Sequence, residues 1–226
     1  MNGAADFDRG AAVTRSMLGW GVVAGPFYLV LGVVLALTRS GFDLTRDALS
    51  LLLLGDLGWL HALNLVLSGL MSVVAGMGLA RTPRTPRAVA VLVGIFGACL
   101  VLSAVLPPDP SAHYPPGEGT GEATAAGLAH LALGAVGFLS MATAAVLAGG
   151  RLARRGSPAA TWSRVAGVVI ALAFAAGAAL ATRPAGVWLI WVAVLVTWAW
   201  LMTTSVAAYR AVPHPVIARR DDDADS

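Results

Sequence analysis

Lysine is absent from this chain, and all 15 of its basic side chains are arginines. Charge of either sign is scarce, at 12% of 226 residues. That is about half the roughly 25% carried by soluble domains, which excludes a core packed in water. A single cysteine, Cys99, excludes a disulfide within the chain. No Gly-rich phosphate loop, CxxC pair or HExxH helix is present, so the usual nucleotide, redox and metalloprotease motifs have no footing. The basic pI near 9.7 does not point to nucleic acid, because the arginines flank apolar runs and topology accounts for them better. The lack of Lys beside abundant Ala, Gly, Val and Arg suits a GC-rich bacterial genome.

What fills the chain instead is apolar: 58% of residues are hydrophobic and the mean hydropathy is +0.77. Six runs are long enough to cross a bilayer about 30 Å thick. They are Met17–Leu37, Trp59–Ala80, Ala88–Leu106, Thr124–Ala148, Trp162–Ala181 and Val187–Ala208. Pro83 and Pro86, Pro107 and Pro108, and Pro184 punctuate them. Trp20, Trp59, Trp162 and Trp188 sit near span ends, where an amphipathic ring is favoured, whereas Trp198 and Trp200 lie deeper, as packing residues. The expected fold class is an all-α integral membrane protein, a six-helix transmembrane bundle over residues 17–208. Residues 1–16 and the acidic tail within 209–226 are expected to be disordered.

Arginine placement sets an expected orientation. Twelve of the 15 flank one side of the runs, in the N-terminus, the 81–87 loop, the 151–164 segment and the C-terminus; Arg39, Arg46 and Arg183 flank the other. By the positive-inside rule both termini are cytoplasmic, in a multi-pass protein of the inner (plasma) membrane. The first run is too long for a signal-peptide core and lacks a clear cleavage site, so it is read as a retained helix.

Two outer loops hold most of the polarity. The first spans Arg39–Trp59. Its centre, Ala48–Leu54, is too short to cross and too apolar for water, which suggests a short interfacial helix, or one tucked into the bundle. Asp43 is a plausible N-cap for it, and Gly55 would end it. The second, from Pro107 to Glu122, contains no Lys or Arg, and five prolines stiffen it into a candidate lid. Inside the spans, His61, Asn64, Ser68 and Ser72 form one stripe at helical spacing, and Gly127, His130, Gly134, Gly137 and Met141 form another.

Each candidate has a sharp and a bland reading. His130 suits a general base or a hydrogen-bonded bundle histidine. Asp109, between prolines, suits an acid or a turn cap. With Ser50 they form a candidate nucleophile, base and orienter. Asp43, Arg46, Asp47, Asp56, His61, Asn64 and His113 are candidate ligand-binding residues around the same outer pocket. Arg46 suits a phosphate or carboxylate, although an ion pair with Asp43 or Asp47 is the preferred reading. Asn64, Ser68 and Ser72 read as interhelical contacts. Asp109, His113, His130 and either Asp47 or His61 are acceptable Zn²⁺ ligand types, but no dedicated metal spacing joins them, so no metal site is assigned.

The phrases Gly41-Phe-Asp-Leu-Thr-Arg46, Leu49-Ser-Leu-Leu52, Gly55-Asp-Leu-Gly-Trp59, Pro108-Asp-Pro110, Tyr114-Pro-Pro-Gly117 and Gly127-Leu-Ala-His130, continuing to Phe138, together resemble the DUF998 family of small multi-span prokaryotic membrane proteins. The resemblance covers all six spans and implies that Ser50, Asn64, Asp109 and His130 occupy family-typical positions. Asp47 and His61 depart from the His and Gln usual there, so no family-wide mechanism needs a base at 47 or a His at 61. The family supplies no activity and no cofactor. The expected function is therefore a polar site at the extracytoplasmic face that binds or processes a lipid or lipid-linked substrate. The alternatives are a non-catalytic scaffold or sensor subunit and a small-molecule transporter. Membrane lipids are the expected partners; no protein partner is identifiable.

Overall fold

The computed structural model describes residues 6–83, 85–120 and 122–217. Six α-helices follow one another: α1 (Arg9–Thr38), α2 (Gly58–Ala80), α3 (Arg87–Ser103), α4 (Ala125–Ala153), α5 (Ala159–Ala179) and α6 (Pro184–Ala211). Each packs on the next, and α1 packs on α6, so the helices close into a ring. A short 3-10 helix, Leu49–Leu53, lies against α1 and α2. The termini meet at one end of the ring, where strands β1 (Asp6–Phe7) and β2 (Val216–Ile217) pair antiparallel. The loops after α1, α3 and α5 form the opposite, loop end.

Five of the helices are long and apolar enough to cross a membrane, which makes this a multi-pass integral membrane protein. The sixth expected span is shorter than foreseen. α3 has 17 residues and ends at Ser103 instead of Leu106; its length of about 26 Å stands at the lower limit for crossing.

Three further expectations change. The first helix does not wait until residue 17: it starts at Arg9, because the Asp8 carboxylate caps it by accepting from the Ala11 amide at 2.9 Å. Asp8 N also donates to Pro215 O at 2.8 Å, a contact 207 residues away in sequence that a local reading does not contain. Residues 6–16 are thus ordered by the C-terminal segment; residues 1–5 and the acidic tail lie outside the described residues. Of the two forms expected for the short helix of the first loop, the tucked one is found: a single 3-10 element turned into the bundle, with Leu49, Leu51 and Leu52 buried. Asp43 does not cap it. Its Oδ1 accepts from the amide and hydroxyl of Thr45 at 2.9 and 2.7 Å, forming a separate turn. Gly55, at φ +76°, does end the segment.

Small residues set the helix spacing. A Cβ built on Gly97 would fall about 2.5 Å from Gly69 O, and one on Gly69 would meet Gly97 O at 2.6 Å. Helices α2 and α3 therefore touch backbone to backbone. Further round the ring, Trp200 Nε1 donates to Ser163 Oγ at 2.8 Å, which donates to Ala145 O at 2.8 Å. That chain links α6, α5 and α4. Trp198 and Trp200 are buried, while Trp20, Trp59, Trp162 and Trp188 are exposed on the flank, as their positions in the sequence suggest.

Gly97→Ala should destabilise the bundle by about 1–3 kcal/mol, the usual cost of overpacking. Gly94→Ala, where an added Cβ meets nothing within 4 Å, should be neutral or stabilising. Midpoints of SDS-induced unfolding of the two variants check this.

Candidate functional site

The centre of the ring is incompletely filled. A cavity of about 160 Å³ lies in the loop-end half, and all six helices and the 3-10 helix contribute to its wall. Tyr28, Phe96, Phe138, Phe174, Trp191 and Trp198 supply aromatic rings to the lining. Several of these rings touch: Tyr28–Trp198 centroids lie 5.2 Å apart, Phe96–Trp198 5.4 Å, and Phe138–Phe174 stack at 4.7 Å. Below them Trp200, Leu201, Ile170 and Leu79 pack the other half solidly. Unfilled volume of this kind forgoes packing contacts that side chains would otherwise make.

Polar groups mark the rim. Ser50 from the 3-10 helix, Ser103 at the end of α3 and His130 in the second turn of α4 all line the cavity. His130 Nδ1 lies 2.7 Å from Leu106 O. A carbonyl only accepts, so Nδ1 carries the proton and the neutral ring keeps Nε2 as an acceptor. The Gly134 and Gly137 positions of the same stripe keep the helix face clear, as the spacing suggests; Gly137 faces Phe96 and Cys99 of α3.

Asp109 is not part of this wall. Its carboxylate accepts from Thr124 N at 3.2–3.3 Å and from Thr124 Oγ1 at 2.5 Å, while Thr124 Oγ1 caps α4 by accepting from Gly127 N at 3.0 Å. Gly127 leaves room for that carboxylate, which an added Cβ would strike. Ser50 and His130 thus line one cavity, and Asp109 serves as an anchor for the head of α4.

Asp47 ties the two loops. It is fully buried; its Oδ2 accepts from Asp43 N at 2.9 Å and its Oδ1 from Ser111 Oγ at 3.4 Å. Arg39 adds a second tie, donating through Nη1 to Leu54 O at 3.2 Å and to the Tyr114 hydroxyl at 3.3 Å. Tyr114 is 2% exposed and meets Phe42 edge-on at 5.1 Å. Trp191 Nε1 donates to Leu44 O at 3.2 Å, fastening the first loop to α6.

The remaining candidates lie elsewhere. Arg46 pairs with Asp43 at 3.6 Å, the preferred sequence reading. The two hydrogen bonds from Thr45, and then Arg46, hold the Asp43 carboxyl below its ordinary range. The turn's contribution is therefore present at neutral pH and is lost as pH falls through that lowered value. Asp56 and His113 are exposed. His61 is fully buried behind Tyr28, 6.2 Å between centroids, and neither ring nitrogen has a partner. Asn64 crosses to α1, donating to Tyr28 O at 3.1 Å, whereas Ser68 and Ser72 bond back along α2. The expected convergence of Asp109, His113, His61 and His130 on one pocket is not what forms; helix geometry leaves only His130 at the cavity. Among the described residues, no group of three or more His, Cys, Asp or Glu is placed to hold a metal ion.

The family model described as "protein of unknown function (DUF998)" matches residues 22–207, from the first helix to the last. The chain belongs to the DUF998 family. No curated protein and no solved structure matches it. In this DUF998 member, sequence reasoning overlooked Arg39, Ser111, Tyr114 and Thr197. A tyrosine in an otherwise polar, proline-stiffened loop was the available signal for the first three. Thr197 was the first hydroxyl in the apolar run of α6.

Asp47→Ala should release the second loop. Losing an acceptor shared by Asp43 N and Ser111 Oγ costs about 1–3 kcal/mol. Hydrogen exchange over residues 107–120 should rise by at least about tenfold, while that of α2 and α3 stays unchanged.

Proposed function

We propose that this membrane protein binds the apolar part of a lipid or lipid-linked molecule in the six-helix cavity, with the molecule's polar part at the rim beside Ser50, Ser103 and His130. The observation that carries this reading is the void itself: an aromatic-walled space kept at a packing cost, with polar groups at its loop end. At about 160 Å³ it is smaller than the roughly 300 Å³ or more of a pocket for a whole ligand, so it takes a segment of a larger amphiphile. Asp43, Arg46, Asp56 and His113 belong to the loop surface above it, where they meet the part of the molecule left outside. The split of arginines supports an extracytoplasmic loop end in the plasma membrane; in this reading the ligand arrives from the outer leaflet. The solid packing around Trp200 favours binding over passage across the membrane.

Native mass spectrometry of protein extracted directly from membranes tests this. The wild type should carry a bound amphiphile. Gly134→Leu, which puts a side chain into the cavity where Gly134 now forms part of the wall, should reduce the bound fraction at least about tenfold. An unchanged bound fraction would sink the reading. A reporter fused after Pro116 that is active only outside the cytoplasm checks the orientation.

A processing role is the second reading, favoured by Ser50 and His130 lining one cavity with His130 Nε2 left as the acceptor. His130 would then serve as base and Ser50 as nucleophile. Ser50→Ala would retain the bound molecule but leave its mass unprocessed; the same products from wild type and variant would remove that role.

A further inference from the structure

The cavity's inner end has a property that an alkyl chain does not answer. Thr197 belongs to its lining, is fully buried, and its hydroxyl oxygen has no hydrogen-bond partner. A threonine in a helix ordinarily bonds back to the carbonyl a turn before it, as Thr203 does to Ala199 O at 2.9 Å in the same helix. Thr197 lies 13 residues into α6, about 20 Å from its start. It is far from the rim groups and within the aromatic layer formed by Tyr28, Phe96 and Trp198.

Three more observations narrow the occupant. The volume, about 160 Å³, is close to that of the ~150 Å³ apolar cavities known to admit one benzene ring. The wall is built of aromatic faces and edges, which favour a flat ring through stacked and edge-on contacts. Among the described residues, the lining holds no Asp, Glu or Arg, so a charged group would be desolvated without compensation. Flat, ring-sized, neutral and oxygen-bearing is a definite chemical class.

We propose that the cavity receives a neutral six-membered ring carrying oxygen, as in a phenol or a quinone, with one ring oxygen hydrogen-bonded to the Thr197 hydroxyl. This rests on the binding role given above and names the segment of the amphiphile that enters. The remainder of the molecule, an apolar tail or a polar substituent, leaves past Ser50 and His130 at the rim. A saturated acyl chain would leave Thr197 unmet, and an ionic headgroup would meet no counter-charge.

The test uses the purified full chain in detergent with three probes: toluene, phenol and a methyl-substituted 1,4-benzoquinone. Apparent Kd values are read from the ligand-dependent rise in Tm. Partition of each probe into micelles is common to all variants and cancels between them. Phenol, the quinone or both should bind more tightly than toluene. Thr197→Val keeps the shape and removes the hydroxyl; it should weaken the oxygenated probes about five- to tenfold, the weight of one hydrogen bond, and leave toluene unchanged. Gly134→Leu should abolish binding of all three. A tighter phenol marks the ligand as a hydroxylated ring and a tighter quinone marks it as a carbonyl-bearing one, and both results sustain the proposal. If toluene binds as tightly as phenol and Thr197→Val changes neither, the ring-oxygen proposal is overturned and the apolar-segment reading stands alone. If Gly134→Leu leaves every shift intact, the proposal and the binding role fall together.

Discussion

In lipid, burying one apolar side chain against another gains little over burying it against an acyl chain. Helices associate instead through close backbone approach and a small number of polar contacts. The Gly69–Gly97 crossing is the tightest expression of this constraint between α2 and α3. The Trp200–Ser163–Ala145 chain does the corresponding work across α6, α5 and α4. Because each helix is held chiefly by its sequence neighbours, the bundle closes as a ring. A ring of six helices leaves a centre that side chains must fill from all round.

In the half nearer the termini, they fill it. Trp200, Leu201, Ile170 and Leu79 are fully buried there. In the loop-end half, α4 presents His130 and Gly134 beside Leu131 and Phe138, the glycine adds no side chain, and a void remains. The same stripe of small residues that lets α4 approach α3 near Gly137 leaves it hollow one turn nearer the loop end. The site thus follows from the packing rule that holds the bundle together.

The loops above the void are held by buried polar ties rather than by apolar packing alone. Asp47 joins the first loop to Ser111 of the second, and Arg39 joins both through Leu54 and Tyr114. Asp109 anchors the head of α4 through Thr124. In sequence these residues resemble chemical machinery, because acids, a base and a histidine crowd together. In space most of them satisfy one another, which is how polar groups persist near the edge of a low-dielectric region.

Local pattern was enough for much of this. Apolar runs of membrane length, proline punctuation and tryptophan placement gave all six helices and most of their ends, though not the start of the first at Arg9, because in lipid every backbone polar group must be satisfied within its own segment. The three- and four-residue spacing likewise identified the buried stripe from His61 to Ser72. What the tertiary structure decided were contacts between residues far apart in the chain. The pairing of Asp8 with Pro215 tied the start of the first helix to the C-terminal segment, and the burial of Leu52 decided that the short helix of the first loop turns inward. The Thr124 contact held Asp109 at the head of α4, and ring closure left Thr197 in the cavity wall without a hydrogen-bond partner. Periodicity reports which face of a helix is apolar; only ring closure decides which faces meet and where they fail to fill the space.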